Sequence, residues 1–166
     1  MINSKFKFTA FLLLFVLIFF RSTNTICGSF EEALQSASDQ NIILIVDVYT
    51  DWCGWCKKMD KDTYANSGVK KMLYKDFICV KLDAEGSESN KYKGKTYTSS
   101  ELAAFFGITA YPTTVFLKPD GTIIGFNYNK SKMTALPGYY GASDFKKILE
   151  YFKNEDYLSV DMSTIF

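Results

Sequence analysis

Histidine is missing from all 166 residues. That removes Ser–His and Cys–His dyads, imidazole-ligated metals and any imidazole proton shuttle, and leaves acid–base work to Asp, Glu, Lys, Tyr or Cys. An excess of either charge is missing as well: 19 Lys and Arg stand against 18 Asp and Glu, so no global field recruits nucleic acid or another polyanion. There is no length for a second domain, and no internal repeat. What is present is apolar. With 48% hydrophobic, 17% aromatic and only 22% charged residues, the chain is far from the composition that keeps polypeptides disordered.

No acidic residue precedes Glu31. Ahead of it, Lys5 and Lys7 lead into Phe8–Phe20, an uncharged run of 13 residues, followed by Arg21 and the polar Ser22–Thr25. The run is shorter than the roughly 20 residues that span a bilayer, and a basic start before a short apolar stretch is the layout of a secretory signal. We expect residues 1–28 to be that signal, residues 29–154 the folded domain and 155–166 a C-terminal tail. The protein is then extracytoplasmic, in a bacterial periplasm or secreted. The alternative is an uncleaved membrane anchor, because no crisp small-residue cleavage site follows. A lipid on Cys27 is the weaker option, since the preceding Ile26 is bulky. Cleavage would leave 16 basic against 18 acidic residues and roughly 140 residues in all, a length at which one core buries about two-thirds of the chain's surface without a disulfide framework.

Beyond the leader, Phe30, Ala33, Leu34 and Ala37 follow the spacing of an amphipathic helix, with Ser29 and Glu32 placed as a capping box. Residues 42–48, IILIVDV, show no alternation and predict a central strand buried on both faces. Helical pattern covers 54–74 with a break at Asn66–Gly68, and a second strand follows at Phe77–Leu82. Residues 85–100 are so polar that they read as an exposed loop adding no core. Ser100 is placed to cap a helix with Leu102, Phe105 and Phe106 on its apolar face, ending near Gly107. Thr113–Leu117, a turn at Lys118–Gly121 and Thr122–Phe126 read as an antiparallel hairpin, and Phe145, Ile148, Leu149 and Phe152 stripe a closing helix. The order gives an α/β fold: a central mixed sheet with helices on both faces.

Chemistry concentrates in Trp52-Cys53-Gly54-Trp55-Cys56, directly after the apolar strand and at the start of a helix. The first thiol sits where unpaired helix N–H groups favour an anion, so its thiolate is stabilised and nucleophilic. Two intervening residues put Cys56 about one turn on, where it can resolve a mixed disulfide. A zinc site would need two further ligands, and Cys27 and Cys79 are distant with no histidine in reserve. No metal and no cofactor is expected. Cys79, inside the second strand, reads as an inert core residue. Asp47 is the one charge inside IILIVDV; burial should raise its pKa, leaving it protonated or sharing a proton with a thiol, unless it is merely hydrogen-bonded at the strand's end. Lys81 is either its matching charge or an edge-exposed lysine. Pro112 directly precedes a strand, where its missing N–H bars it from a central ladder position. Tyr139 and Tyr140 either extend a client-facing rim or pack against the closing helix.

WCGWCK after a strand ending in Asp47, then VKLDAE and FGITAYPTTVFLKPDG, resembles the thioredoxin superfamily from about residue 30 to 153. The stretch from Tyr49 to Leu73 is similar to extracytoplasmic members, such as the C-terminal domain of DsbD-type interchange proteins and SoxW-type thioredoxins. The resemblance implies a thiol-disulfide oxidoreductase with Cys53 exposed beside a cis Pro112 and Tyr111 offering backbone hydrogen bonds to a substrate. It implies Asp47 and Lys81 as a buried proton-handling pair, and Trp52, Gly54 and Trp55 as the client-facing surface. Trp55 replaces the usual proline between the cysteines, and KKMDKDTYA lacks the customary helix proline. These departures favour an exported, specialised member. Its partners would be disulfide-containing client proteins and a membrane or soluble thiol-disulfide electron donor, with the protein itself a monomer. Reduction or isomerisation of client disulfides is favoured over thiol oxidation; a thioredoxin-fold binding or chaperone module would not need both cysteines.

Overall fold

In the computed structural model, residues 28–166 are described; Cys27 and the leader expected ahead of it lie outside them. Ser29 caps α1 (Phe30–Gln40), accepting the Glu32 N–H while the Glu32 carboxylate takes the Ser29 N–H. After Asn41, in the left-handed region at φ 53°, the chain enters β1 (Ile43–Tyr49). Next come α2 (Gly54–Met59), a π-helical turn (Asp60–Tyr64), α3 (Ser67–Asp76) and β2 (Phe77–Asp83). The sheet is completed by β5 (Thr113–Leu117) and β8 (Leu136–Pro137), in the order β2-β1-β5-β8. β1 is parallel to β2 and antiparallel to β5, which makes the sheet mixed and β1 internal, as the unalternating run predicts.

Both faces of β1 are covered because its residues alternate between two cores. Leu44, Val46 and Val48 join Phe30, Ala33 and Ala37 of α1 and Leu102 and Phe106 on the α4 (Ser99–Phe105) side. Ile45 joins Phe77, Phe116 and Phe145, Ile148, Leu149 and Phe152 of α5 (Ala142–Lys153) on the other. Asp47 shares the parity of Ile45, so it projects toward α3 and α5 and not toward α1.

Three local readings are corrected. The polar stretch 85–100 is a hairpin, β3 (Ser89–Tyr92) with β4 (Lys95–Thr98), and it does add core. Tyr92 is 2% exposed, donates its hydroxyl to the Gly121 carbonyl (2.7 Å) and meets Phe30, Phe105 and Phe106 edge-on. Two tyrosines, Tyr92 and Tyr97, among polar neighbours carry no periodic signal; the partners of Tyr92 are supplied by other segments. The cap of α4 is Thr98, reciprocated by Glu101, and not Ser100, while Phe105 stays half exposed. The expected partner of β5 at 122–126 shrinks to one bridge, Leu117 with Ile123. Its end instead begins a separate hairpin, β6 (Phe126–Tyr128) with β7 (Ser131–Met133), and β5 pairs with β8.

Residues 155–166 form two 3₁₀ turns, Asp156–Leu158 and Met162–Ile165. Tyr157 and Met162 are buried in the α5 core. The Asp161 carboxylate ties this segment to the β6–β7 turn by accepting the N–H groups of Asn129, Lys130 and Ser163. A bond from the Ser163 hydroxyl, the largest contributor, together with those backbone bonds holds its pKa down at about 2.

Tyr92→Ala should lower unfolding stability by about 3–5 kcal/mol, the loss for a buried aromatic, where a tyrosine on an exposed loop would cost within about 0.5 kcal/mol. Urea unfolding of the two proteins distinguishes the values.

Candidate active site

Val48 of β1 lies opposite Thr113 of β5, so the chain leaving β1 and the chain entering β5 meet at one end of the sheet. The first carries Cys53. The second carries Tyr111 and Pro112, joined by a cis peptide bond. Thr113 also pairs with Pro137, and the Gly138 N–H donates to the Pro112 carbonyl (2.8 Å), which brings Tyr139 and Tyr140 to the same end.

Cys53 is the N-cap of α2, with extended backbone (φ −70°, ψ 102°). Its N–H donates to the Thr50 carbonyl (3.1 Å), and its Sγ accepts the Cys56 N–H (3.0 Å). The two cysteines form a disulfide, their Cα atoms 5.3 Å apart. When the bond is reduced, the same N–H faces a Cys53 thiolate and stabilises it, as helix N-termini do. The expected exposure of Cys53 is corrected: it is 4% exposed and Cys56 5%, because the cap turns its side chain inward onto the Cys56 amide and the bond.

What is exposed is the aromatic ground beside the sulfurs. Trp52 is 67% and Trp55 58% exposed. Trp52 meets Tyr111 edge-on at 5.8 Å and donates its indole N–H to Glu85 (3.0 Å). Trp55 leans on Tyr139 at 5.5 Å, with the Lys58 ammonium 5.2 Å from the Tyr139 ring centre. A Cβ at Gly54 would meet nothing within 4 Å, so this position faces open surface between the two indoles. Tyr139 and Tyr140, alike in sequence, divide: Tyr140 stacks on Phe166 and its carbonyl receives the Thr63 hydroxyl (2.6 Å).

A charged cluster lies on β1, β2 and the π-helical turn. Asp47 is opposite Lys81 in β2 and Thr114 in β5, and it is 7% exposed. Burial, partly offset by Lys81 and reinforced by the charge of Asp60, raises its pKa to about 6. Its Oδ1, the Tyr64 hydroxyl and the Thr114 hydroxyl are buried without a hydrogen-bond partner among the described residues. The Lys81 Nζ lies 3.6 Å from Asp47 Oδ2 but 2.6 Å from each carboxylate oxygen of Asp60. Burial pulls the Lys81 pKa down, and Asp60 and Asp47 together more than reverse it. A cavity of about 80 Å³ reaches this cluster between α3 and β2. Cys79 lines it and is only partly buried, because its parity on β2 matches that of Lys81 and turns it toward the cavity. Among the described residues no group of three or more Cys, Asp or Glu is arranged to hold a metal ion.

The structure thus gathers Cys53, Cys56, Trp52, Gly54, Trp55, Tyr111 and Pro112 at one sheet end, with Asp47 and Lys81 on the strands beneath. Sequence reasoning missed Asp60, Tyr64 and Glu85. Asp60 and Tyr64 fall in a charged stretch that reads as an ordinary helix surface, and Glu85 in a stretch that reads as loop.

The family described as Thioredox_DsbH, protein of unknown function DUF255, matches residues 27–159. A protein disulfide-isomerase of Datisca glomerata is 27% identical over 157 residues, 87% of this chain and 26% of that protein. The chain spans about a quarter or less of the length of the first curated relatives it matches. A solution structure from Bacteroides thetaiotaomicron, named as a candidate disulphide-isomerase, is 31% identical, covers 75% of this chain and 85% of that one, and superposes with a TM-score of 0.52. A thioredoxin-fold protein from Helicobacter pylori shares the fold at a TM-score of 0.63 with 17% identity, over 75% of this chain and 80% of that one.

A carboxyl that binds its proton more tightly folded than unfolded stabilises the fold below its unfolded pKa, and that stability drains as pH rises through the folded value. For Asp47 the window runs from 3.8 to about 6, a loss on the order of 3 kcal/mol. The oxidised protein should therefore lose stability to urea between pH 4 and 7, and Asp47→Asn should remove most of that slope. Asp161, held low, acts only below this window.

Proposed function

The chain belongs to the thioredoxin-like DsbH (DUF255) family, and from that membership we propose that it is a thiol-disulfide oxidoreductase that reduces or isomerises disulfides in client proteins. The observation that carries this reading is the Cys53–Cys56 bridge at the cap of α2, with the Cys56 N–H aimed at Cys53 Sγ. The reaction begins from the dithiol. The Cys53 thiolate attacks one sulfur of a client disulfide, forming a Cys53–client bond and expelling the other client sulfur as thiolate. Asp47, raised toward neutrality, takes the Cys56 proton. The Cys56 thiolate then attacks Cys53 Sγ, closing the intramolecular bridge and releasing the second client thiolate. The client gains two electrons and the dithiol loses two, so a thiol-disulfide donor must restore them.

Trp52, Gly54, Trp55 and Tyr111 form the surface against which the client lies, and the backbone around the cis Pro112 offers it hydrogen bonds. Tyr139 extends that surface behind Trp55. The working unit is residues 29–154 with the segment after it packed on α5. The protein acts as an extracytoplasmic monomer, and residues 1–28 are its export signal. The basic start and short apolar run before Glu31 support the export reading.

With dithiothreitol as donor, the protein should accelerate insulin reduction, and Cys53→Ser should return the rate to that of dithiothreitol alone. Cys56→Ser should accumulate a client-linked species visible on non-reducing gels and dissolved by excess thiol. A reduction potential near about −270 mV against glutathione fits a reductant, and one near about −120 mV would make the protein an oxidant and overturn the direction.

A further inference from the structure

β1 and β2 are in register at Asp47 and Lys81, so the backbone alone sets an ammonium beside the buried carboxyl. The ammonium is nevertheless turned toward a third residue. Lys81 Nζ sits 2.6 Å from both oxygens of Asp60 and 3.6 Å from the nearer oxygen of Asp47; the longer separation is beyond hydrogen bonding. Asp60 opens the π-helical turn, where the Ala65 N–H reaches back to its carbonyl (3.0 Å). The Asp60 side chain is 46% exposed against 10% for Asp47. One cation serves two carboxylates, and the solvated one holds it.

We propose that Asp60 is a positioning residue for the dithiol: by clamping Lys81 at the mouth of the cavity it leaves Asp47 only a long ion pair at 3.6 Å in place of a lysine hydrogen bond, and the buried carboxyl holds a proton the more readily. This inference rests on Asp47 being the proton acceptor for Cys56. A carboxylate hydrogen-bonded by lysine is a weak base, unable to take a thiol proton near neutral pH; one deprived of that partner is a stronger base. The other groups facing Asp47 cannot substitute for the lysine. Tyr64 comes from the π-helical turn, Thr114 from β5 and Cys79 from β2, none of them a cation. From α3, Lys70 and Tyr74 line the same cavity, and both are exposed there. The upward shift of Asp47, in which the charge of Asp60 takes part, agrees with the geometry.

The test follows the Asp47 carboxyl carbon by ¹³C NMR through a pH titration of the oxidised protein, with Asp47→Asn identifying the signal. In Asp60→Asn the midpoint should fall by roughly one pH unit as Lys81 swings to Asp47. Asp60→Glu should keep it near the wild-type value. In a Lys81→Met background the same Asp60→Asn change should produce less than half of that fall. The acid limb of insulin reduction should move to lower pH along with the midpoint. Asp60→Ser serves as the second variant should the asparagine protein not fold. An unmoved midpoint, or an equal fall with and without Lys81, overturns the proposal, the latter by showing plain repulsion between the two carboxylates. Because the titration needs no client, it is separable from the proposed activity. A working reductase with an unmoved midpoint removes only the role of Asp60. A falling midpoint in a protein that reduces nothing removes the oxidoreductase reading and leaves the clamp.

Discussion

The register of β1 is the constraint on which everything else depends. One strand is fixed at once against β2 in parallel and β5 in antiparallel, and its alternate residues are committed to two different cores. A slip of one residue would send Leu44, Val46 and Val48 to the α5 side and Asp47 into the apolar packing around α1. That error would cost several buried aliphatic contacts and an unpaired charge, each worth kilocalories, so the alignment is tightly specified. Because it is, the chain leaving β1, the cis bond before β5 and the segment after β8 arrive at one end of the sheet with no further device.

The site then works by dividing apolar and ionic duties between two levels. At the surface, two indoles and two phenols frame a covered disulfide, leaving the indole faces exposed while the sulfurs stay out of bulk water. On β1, β2, α3 and the π-helical turn, two lysines, two carboxylates and two tyrosines line a small cavity, with Lys81 the one that bridges both carboxylates. The ionic level is deep enough for desolvation to dominate at Asp47, while the Asp60 side chain at its edge is nearly half exposed to water.

Much of this was legible in the chain. The unbroken apolar run at 42–48 announced a strand covered on both sides, and an acid within it could only be costly. Two cysteines one turn apart after that strand announced the chemistry. Lys81 stood open between the matching charge for Asp47 and an edge-exposed lysine, because the register that sets the two opposite each other is a property of the paired strands. The resemblance, and not the residues alone, supplied the cis bond at Pro112. What was not legible depends on contacts that no local pattern encodes. Asp60 sits in KKMDKDTYA, which reads as a solvated helix surface; its reach to Lys81 arises where the helix widens into a π turn held by the Thr63 hydroxyl on the Tyr140 carbonyl, 77 residues away. Tyr92 is hidden for a similar reason, its hydroxyl partner lying in the turn at Gly121. The hairpin after β5 was overextended because β-branched residues at 122–124 suit a strand, while the edge of β5 was already taken by Leu136 and Pro137.

Both tryptophans of the chain stand next to the sulfur pair, and the core is built from phenylalanine, tyrosine and aliphatic residues. Ultraviolet light absorbed by indole is therefore re-emitted only from the rim around the disulfide. Since a nearby disulfide quenches an excited indole by accepting an electron and a dithiol does so less well, the molecule carries its own optical gauge of oxidation state, readable without a dye or a label.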